Sequence, residues 1–336
     1  MSPGIGSKPQ PDQGAGSNRG LRPRNILGIV GGLALIAVLV ALIVPRADEV
    51  SDALGRVGIG SFLAVVALGM VAMVLRTTAW QVAIDAAGGR LRALEAHLAS
   101  AVAYVTSLVS PYIGMASRIA VIRNRVPERS PSTSQQLAAE SVLIVVESAL
   151  VAILLLSAAW TLDISPPLAV LAVLGGLAAV GALVLAARRL APRHFGAGLA
   201  AAREPRTLGM VTAAIAATLA TQLARVALAL SAVGMDADPF VVIAVFLASG
   251  LGAVIPIGTA ATGAAAPLIA ASAGAGSVGD ASAAGVLMSG ALMVSTFGYL
   301  GTVAALAKLP WRGRVADRNG DGDGRGGEPS GSSVQS

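Results

Sequence analysis

The sequence predicts an all-α, polytopic helical membrane protein, and three observations carry that prediction. Hydrophobic residues make up 55% of the 336-residue chain and charged residues only 12%, with a mean hydropathy of +0.75. Charge-free apolar runs of about 20 residues, enough to cross a bilayer as helix, recur from end to end. These runs are continuous, unlike the short alternating strands of a transmembrane barrel.

In chain order, a Gly/Pro/Ser-rich segment over 1–25 reads as a disordered cytoplasmic tail. The first run, Ile26–Val44, lacks a small-residue cleavage site and reads as a retained signal anchor. Its Gly28 and Gly32 form a GxxxG pair suited to internal packing. Further spans are expected at Val57–Ala79, Leu137–Trp160, Pro166–Ala187, Leu208–Ser231 and Ala281–Ala307, six in all. They form one integral-membrane domain over 26–307, followed by a disordered cytoplasmic tail over 308–336. In that tail Asp317, Asn319, Asp321, Gly322, Asp323 and Glu328 have the spacing of a calcium loop. Gly324 replaces its apolar anchor and PSGSSVQS cannot form the exiting helix, so a solvated tail is the reading adopted.

Several function classes drop out. Without cysteine there is no disulfide, thiolate metal site or cysteine nucleophile. The two histidines, His97 and His194, sit near loops, so no metal and no cofactor is expected. The net charge of +6 lies in arginines at span ends, where it sets orientation and meets anionic lipid, so nucleic acid is not an expected partner. None of the hydrophilic stretches reaches the roughly 40 residues that an unaided soluble core needs.

Two regions, Leu94–Arg118 and Pro239–Ala273, are ambiguous. If the first crosses the bilayer, the Lys and Arg outside the spans split 16 to 7. If it enters and returns on the same side, 21 lie inside and only Arg46 and Arg56 outside, with both termini cytoplasmic. The second arrangement fits a bacterial inner membrane protein. Twenty-five residues cannot cross twice, so a re-entrant helical hairpin with Pro111 and Gly114 at its tip is predicted, against the alternative of a span kinked at Pro111. The second region breaks at Pro256 and Gly258, and its return limb is too short to cross. It reads as a hairpin from the outside. Six full spans plus two re-entrant hairpins give half-repeats 26–160 and 166–307 of opposite direction, an inverted-topology repeat.

Irregular backbone at membrane depth survives only where protein buries it or water lines it, so facing tips imply a polar cavity. Thr106, Ser107 and Ser110 lie beside one tip, Thr259 and Thr262 beside the other. In the fifth span Thr218, Thr221, Gln222 and Arg225 share one helix face. Arg225 is then an inward anion contact, or else it snorkels to the outer headgroups. Arg118 reads as a phosphate contact from the cytoplasmic side, or as an interfacial arginine. Glu140 and Glu147, seven apart on one face, read as a proton-coupling pair or as partners of Arg118 or Arg225. Packing glue across helices is the plainer alternative.

The blocks formed by Arg76 and Trp80, by Pro111, Gly114 and Arg118, by Glu140, and by Pro256, Gly258 and Gly263 resemble the transmembrane flippase-like domain of bacterial lysylphosphatidylglycerol synthases and its stand-alone relatives. The similarity runs from about Arg76 to Gly301. Met115 and Ile144 stand where that family carries acids, and a later arginine is replaced near Ser289. The resemblance implies handling of phospholipids or lipid-linked headgroups, anionic or phosphate-bearing. A lipid transporter is therefore the leading expectation, and not an enzyme. The alternatives are a membrane-embedded transferase using Glu95, His97 and Glu140, or a non-transporting partner of cell-envelope biosynthesis proteins.

Overall fold

Proline, serine and glycine set where each helix starts and stops. The structure, a computed structural model, describes residues 44–161, 204–254 and 274–308, with single positions 174, 181, 185 and 271. Nearly all of the spans expected at Ile26–Val44 and Pro166–Ala187, both tails, and the second tip with Pro256, Gly258, Thr259 and Thr262 lie outside the described residues.

Eight α-helices lie within them: α1 (Ala47–Gly55), α2 (Ile59–Ala86), α3 (Ala93–Ser107), α4 (Pro111–Arg125), α5 (Thr133–Thr161), α6 (Pro205–Ala232), α7 (Pro239–Val254) and α8 (Val278–Lys308). Four of them, α2, α5, α6 and α8, are long and apolar enough to cross a membrane, and the chain is a helical membrane protein. These four are spans that the sequence predicts: α5, α6 and α8 run slightly further at both ends, while α2 starts two residues later and runs seven past Ala79.

Capping fixes their register. Ser132 Oγ accepts from the Gln135 amide while Gln135 returns the bond to the Ser132 amide at 2.8 Å, which starts α5. Ser277 and Asp280 start α8 in the same way. At the other ends, Gly88 after α2 and Gly234 after α6 take positive φ, 84° and 88°. The next amides, of Gly89 and Met235, bond back to Ile84 and Leu230. A left-handed residue closes each helix, and glycine takes that conformation without strain.

The helix α1 is a departure, since the sequence reading leaves 45–56 as an outer loop. It forms because Val50 and Ala53, one turn apart, are both buried on the apolar cluster that includes Ala281 and Ala284 of α8. Glu49 packs so closely on α8 that a side chain at Gly279 would collide with it.

Cross-links give the helix directions. Arg56 bonds Asp280 and donates to the Val233 carbonyl at 3.0 Å, so the start of α2, the end of α6 and the start of α8 share one end of the bundle. Gln135 Nε2 donates to the Ala87 carbonyl at 3.0 Å, placing the end of α2 beside the start of α5 at the opposite end. Helices α2 and α8 therefore run one way, and α5 and α6 the other.

Between α2 and α5 the chain folds back on itself. Helices α3 and α4 have 15 residues each, about 22 Å of helix against a hydrocarbon layer of about 30 Å. Their feet lie together at the Ala87 end. There Gln81 Nε2 donates to the Leu91 carbonyl at 3.2 Å, and a methyl group at Gly89 would sit 3.3 Å from Pro131. Their limbs pack side by side, with Thr106 Oγ1 2.7 Å from Ser117 Oγ. The Tyr104 hydroxyl reaches the Met73 carbonyl near the midpoint of α2. Exposed Val109, Tyr112, Ile113 and Met115 give the tip an apolar surface.

The reversal itself differs from expectation. It is made by 108–110, with Ser110 extended (φ −161°, ψ 133°) and Pro111 opening α4 at its first position. Gly114 does not turn the chain. It is buried inside α4 against Ser107 and the Ala103 carbonyl, with no room for a side chain. The glycine is a close-packing contact between the limbs.

The second ambiguous region also begins and ends at one end, the Arg56 end, where the Asp236 amide donates to the Ala275 carbonyl at 3.0 Å. Its first limb, α7, has 16 residues. The order is thus a 28-residue helix, a positive-φ glycine and a 15-residue helix, then again 28, glycine and 16, in opposite direction.

Candidate functional site

Two apolar layers bracket the middle of the bundle. Toward the Arg56 end lie Val65, Val66, Val226, Leu230 and Ala291, and toward the other end Ala79, Trp80, Leu143, Ile215 and Leu219. Arg76, Glu140, Glu147 and Arg225 come from the long helices that build these layers.

On α2, Gly69, Met73, Arg76 and Trp80 share one face by their spacing of four, three and four. Arg76 Nη1 donates to Glu147 Oε2 at 2.6 Å, and its Nη2 lies 3.9 Å from Glu140 Oε1. Arg118, on α4, donates from Nη1 to Glu140 Oε2 at 2.9 Å. Its guanidinium carbon lies 4.8 Å from the centre of the Trp80 ring, a cation–π contact. The four charges therefore alternate in sign across three helices. None is fully sealed: side-chain exposure runs from 14% at Arg118 to 30% at Glu147.

This geometry corrects the partner expected for Glu147. It pairs with Arg76, and neither Arg118 nor Arg225 reaches it by an ion pair among the described residues. Arg118, on one limb of the hairpin, is largely covered, with its side chain 14% exposed. Arg76 is named in the sequence reading only in the block with Trp80 that carries the family resemblance, and not among the substrate-binding or proton-coupling candidates. Its sequence signal is position: α2 continues ten residues past it to Ala86, about 15 Å of helix.

Arg225 differs from the others. It is 9% exposed, so it does not snorkel to an interface, and its Nε has no hydrogen-bond partner among the described residues. The guanidinium lies against α2, where a methyl group at Gly69 would come within 3.4 Å of Nη1 and 2.5 Å of Ser295 Oγ. The absence of a side chain at Gly69 leaves the room that Arg225 occupies. Ser295 is engaged elsewhere, its hydroxyl lying 2.6 Å from the Ala291 carbonyl and 2.9 Å from that of Val66.

The polar stripe beneath Arg225 is legible as a face but offers less than expected. Thr218 and Thr221 donate to the carbonyls of Ala214 and Ala217 on their own helix, at 2.8 and 2.7 Å. Their hydroxyl protons are committed, so neither can donate to an anion without breaking that bond. Gln222 is half-buried on the same helix. Beside the first tip, Thr106 bonds Val102 and Ser117, Ser107 faces Gly114, and Ser110 precedes α4 without a side-chain cap. The three groups considered for transfer chemistry have separate partners: Glu95 takes the Arg92 amide, His97 meets Tyr299, and Glu140 holds Arg118.

Among the described residues these three arginines and two glutamates leave one cation in excess, and both Arg118 and Arg225 keep a buried Nε without a partner there. A buried charge without compensation is costly, and an arginine fork matches the oxygens of a phosphate. The arrangement can hold an anionic group. Comparison with known proteins gives no match to any family description, curated protein or solved structure.

Proposed function

We propose that this protein is a flippase-like lipid transporter of a bacterial cell membrane, moving a phosphate-bearing lipid or lipid-linked headgroup between leaflets. The observation that carries this reading is Arg225, a nearly enclosed guanidinium with no carboxylate partner among the described residues. A lone cation inside a membrane bundle marks a substrate or ion pathway more often than a structural element. Its single excess charge suits a monoanionic phosphodiester.

The arrangement of the helices supports the same reading. The chain folds back between α3 and α4 from one end, the region between α6 and α8 begins and ends at the other, and α2 and α6 run in opposite directions. We read these as re-entrant hairpins in an inverted-topology repeat, which moves substrate by rocking one half against the other. The arginine-rich feet of α3 and α4 are then cytoplasmic. The motif blocks resembling lysylphosphatidylglycerol synthases point to the same substrate class.

The test is leaflet transfer of a fluorescent phosphatidylglycerol analogue in vesicles containing the purified protein. Arg225→Gln is expected to slow transfer by about tenfold or more, the loss of a charged hydrogen bond, while Arg225→Lys keeps part of it. Equal rates for the parent protein and Arg225→Gln would overturn the reading.

A further inference from the structure

Near the foot of the hairpin a chain of side chains links three helices. His97 Nδ1, on α3, lies 2.6 Å from the Tyr299 hydroxyl of α8. Tyr299 donates to Thr77 Oγ1 of α2 at 3.3 Å, and Thr77 Oγ1 lies 3.5 Å from the Tyr104 hydroxyl. Tyr104 ends the chain by donating to the Met73 carbonyl at 3.4 Å. The ring of Tyr299 meets those of His97 and Tyr104 edge to face, and Tyr299 and Thr77 are both buried.

A carbonyl only accepts, so the contact at Met73 takes the Tyr104 proton. When Tyr299 gives its one proton to Thr77, the 2.6 Å bond is made by a hydrogen on His97 Nδ1. A neutral imidazole has a single N–H, so Nε2 is left as a bare lone pair. No described residue bonds it.

We propose that His97 is a proton-binding site, loaded at Nε2 and held ready by the ordered chain behind Nδ1. One bond, Nδ1–H to Tyr299, serves both protonation states and strengthens when the ring is charged. Loading therefore tightens the tie between the hairpin and α8. The groups facing the chain are Tyr299 from α8, Thr77 from α2 and Tyr104 from α3. The charged groups nearest the chain are Arg118 of α4, on the side of Tyr299, and Arg76 of α2, on the side of Tyr104. Glu95 of α3 and Arg125 of α4 line a neighbouring cavity of about 220 Å³ with Leu94 and Leu98, along the same turns of α3 as His97. This site stands whether or not the protein transfers lipid.

Nitrogen-15 NMR of the full chain in lipid nanodiscs tests it, with His194→Gln leaving His97 as the only imidazole. The expected neutral form is the Nδ1–H tautomer, converting to imidazolium as pH falls. Tyr299→Phe keeps the buried ring and removes the acceptor. Its titration midpoint is expected to fall by about 0.5–1 pH unit, since a bond to the charged ring is stronger than one to the neutral ring. An Nε2–H tautomer in the parent protein, or the same midpoint in both proteins, would overturn the proposal. The parent spectrum alone decides the tautomer if the variant does not fold.

Discussion

Arg76 and Glu147 are 71 residues apart in sequence and 2.6 Å apart in space, joined by a charge-assisted hydrogen bond between α2 and α5. With Glu140 and Arg118 they form a run of alternating charge that ties the hairpin to both long helices. An ion pair of this kind matters most when one member is lost, because the other charge then stands uncompensated.

A double-mutant cycle reads that tie directly. Arg76→Gln and Glu147→Gln are each expected to destabilise the protein by roughly 1–3 kcal/mol, below the cost for fully enclosed pairs because both side chains keep some exposure. Arg76→Gln with Glu147→Gln should recover part of the loss. Thermal unfolding in detergent measures all three, and strictly additive losses would mean that the two groups do not interact.

Gly114 sets how closely the limbs of the hairpin approach. Gly114→Leu has no space against Ser107 and the Ala103 carbonyl, so it should lower thermal stability, whereas Gly290→Ala, with open surroundings, should not. The cysteine-free background allows a second check. Cysteines replacing Thr106 and Ser117 should form a disulfide readily, and Gly114→Leu should suppress it.

Gly69 leaves the space next to Arg225. Gly69→Ala places a methyl group against Ser295 and the guanidinium, and lipid transfer is expected to fall severalfold. Ser295→Gly in the same chain removes the obstructing hydroxymethyl group and should restore most of the rate. Failure of the second change to rescue the first would place the effect elsewhere.

Much of this arrangement was legible in the sequence, and the reasons differ by element. Four spans followed from apolar length alone, because a bilayer demands it. The break near Pro111 was legible because proline cannot continue a helix from an upstream turn, and the charge balance implied that the chain returns. The role of Gly114 was not legible, since a glycine needed for close approach and one needed for a turn look alike in sequence. Among the described residues the positive-φ glycines are Gly88, Gly234 and Gly274. Spacing placed Glu140 and Glu147 on one face but could not name their partners, which come from helices distant in sequence. Arg76 escaped for a related reason: the apolar run thins out beyond it, although the helix goes on. Thr218 and Arg225 are both buried on α6, yet helical spacing does not reveal that Thr218 and Thr221 bond their own backbone.

Side-specific labelling of single cysteines tests the central claim, that the chain turns back inside the bundle once from each end. Cysteines replacing Arg92 and Ser130 flank the first hairpin, and those replacing Asp236 and Ser277 flank the second region. In sealed vesicles of uniform orientation, a membrane-impermeant maleimide is expected to label the first pair from one face and the second pair from the other. Labelling of the Arg92 and Ser130 positions from opposite faces would make Leu94–Arg118 an ordinary span and remove the basis for a site between two folded-back segments.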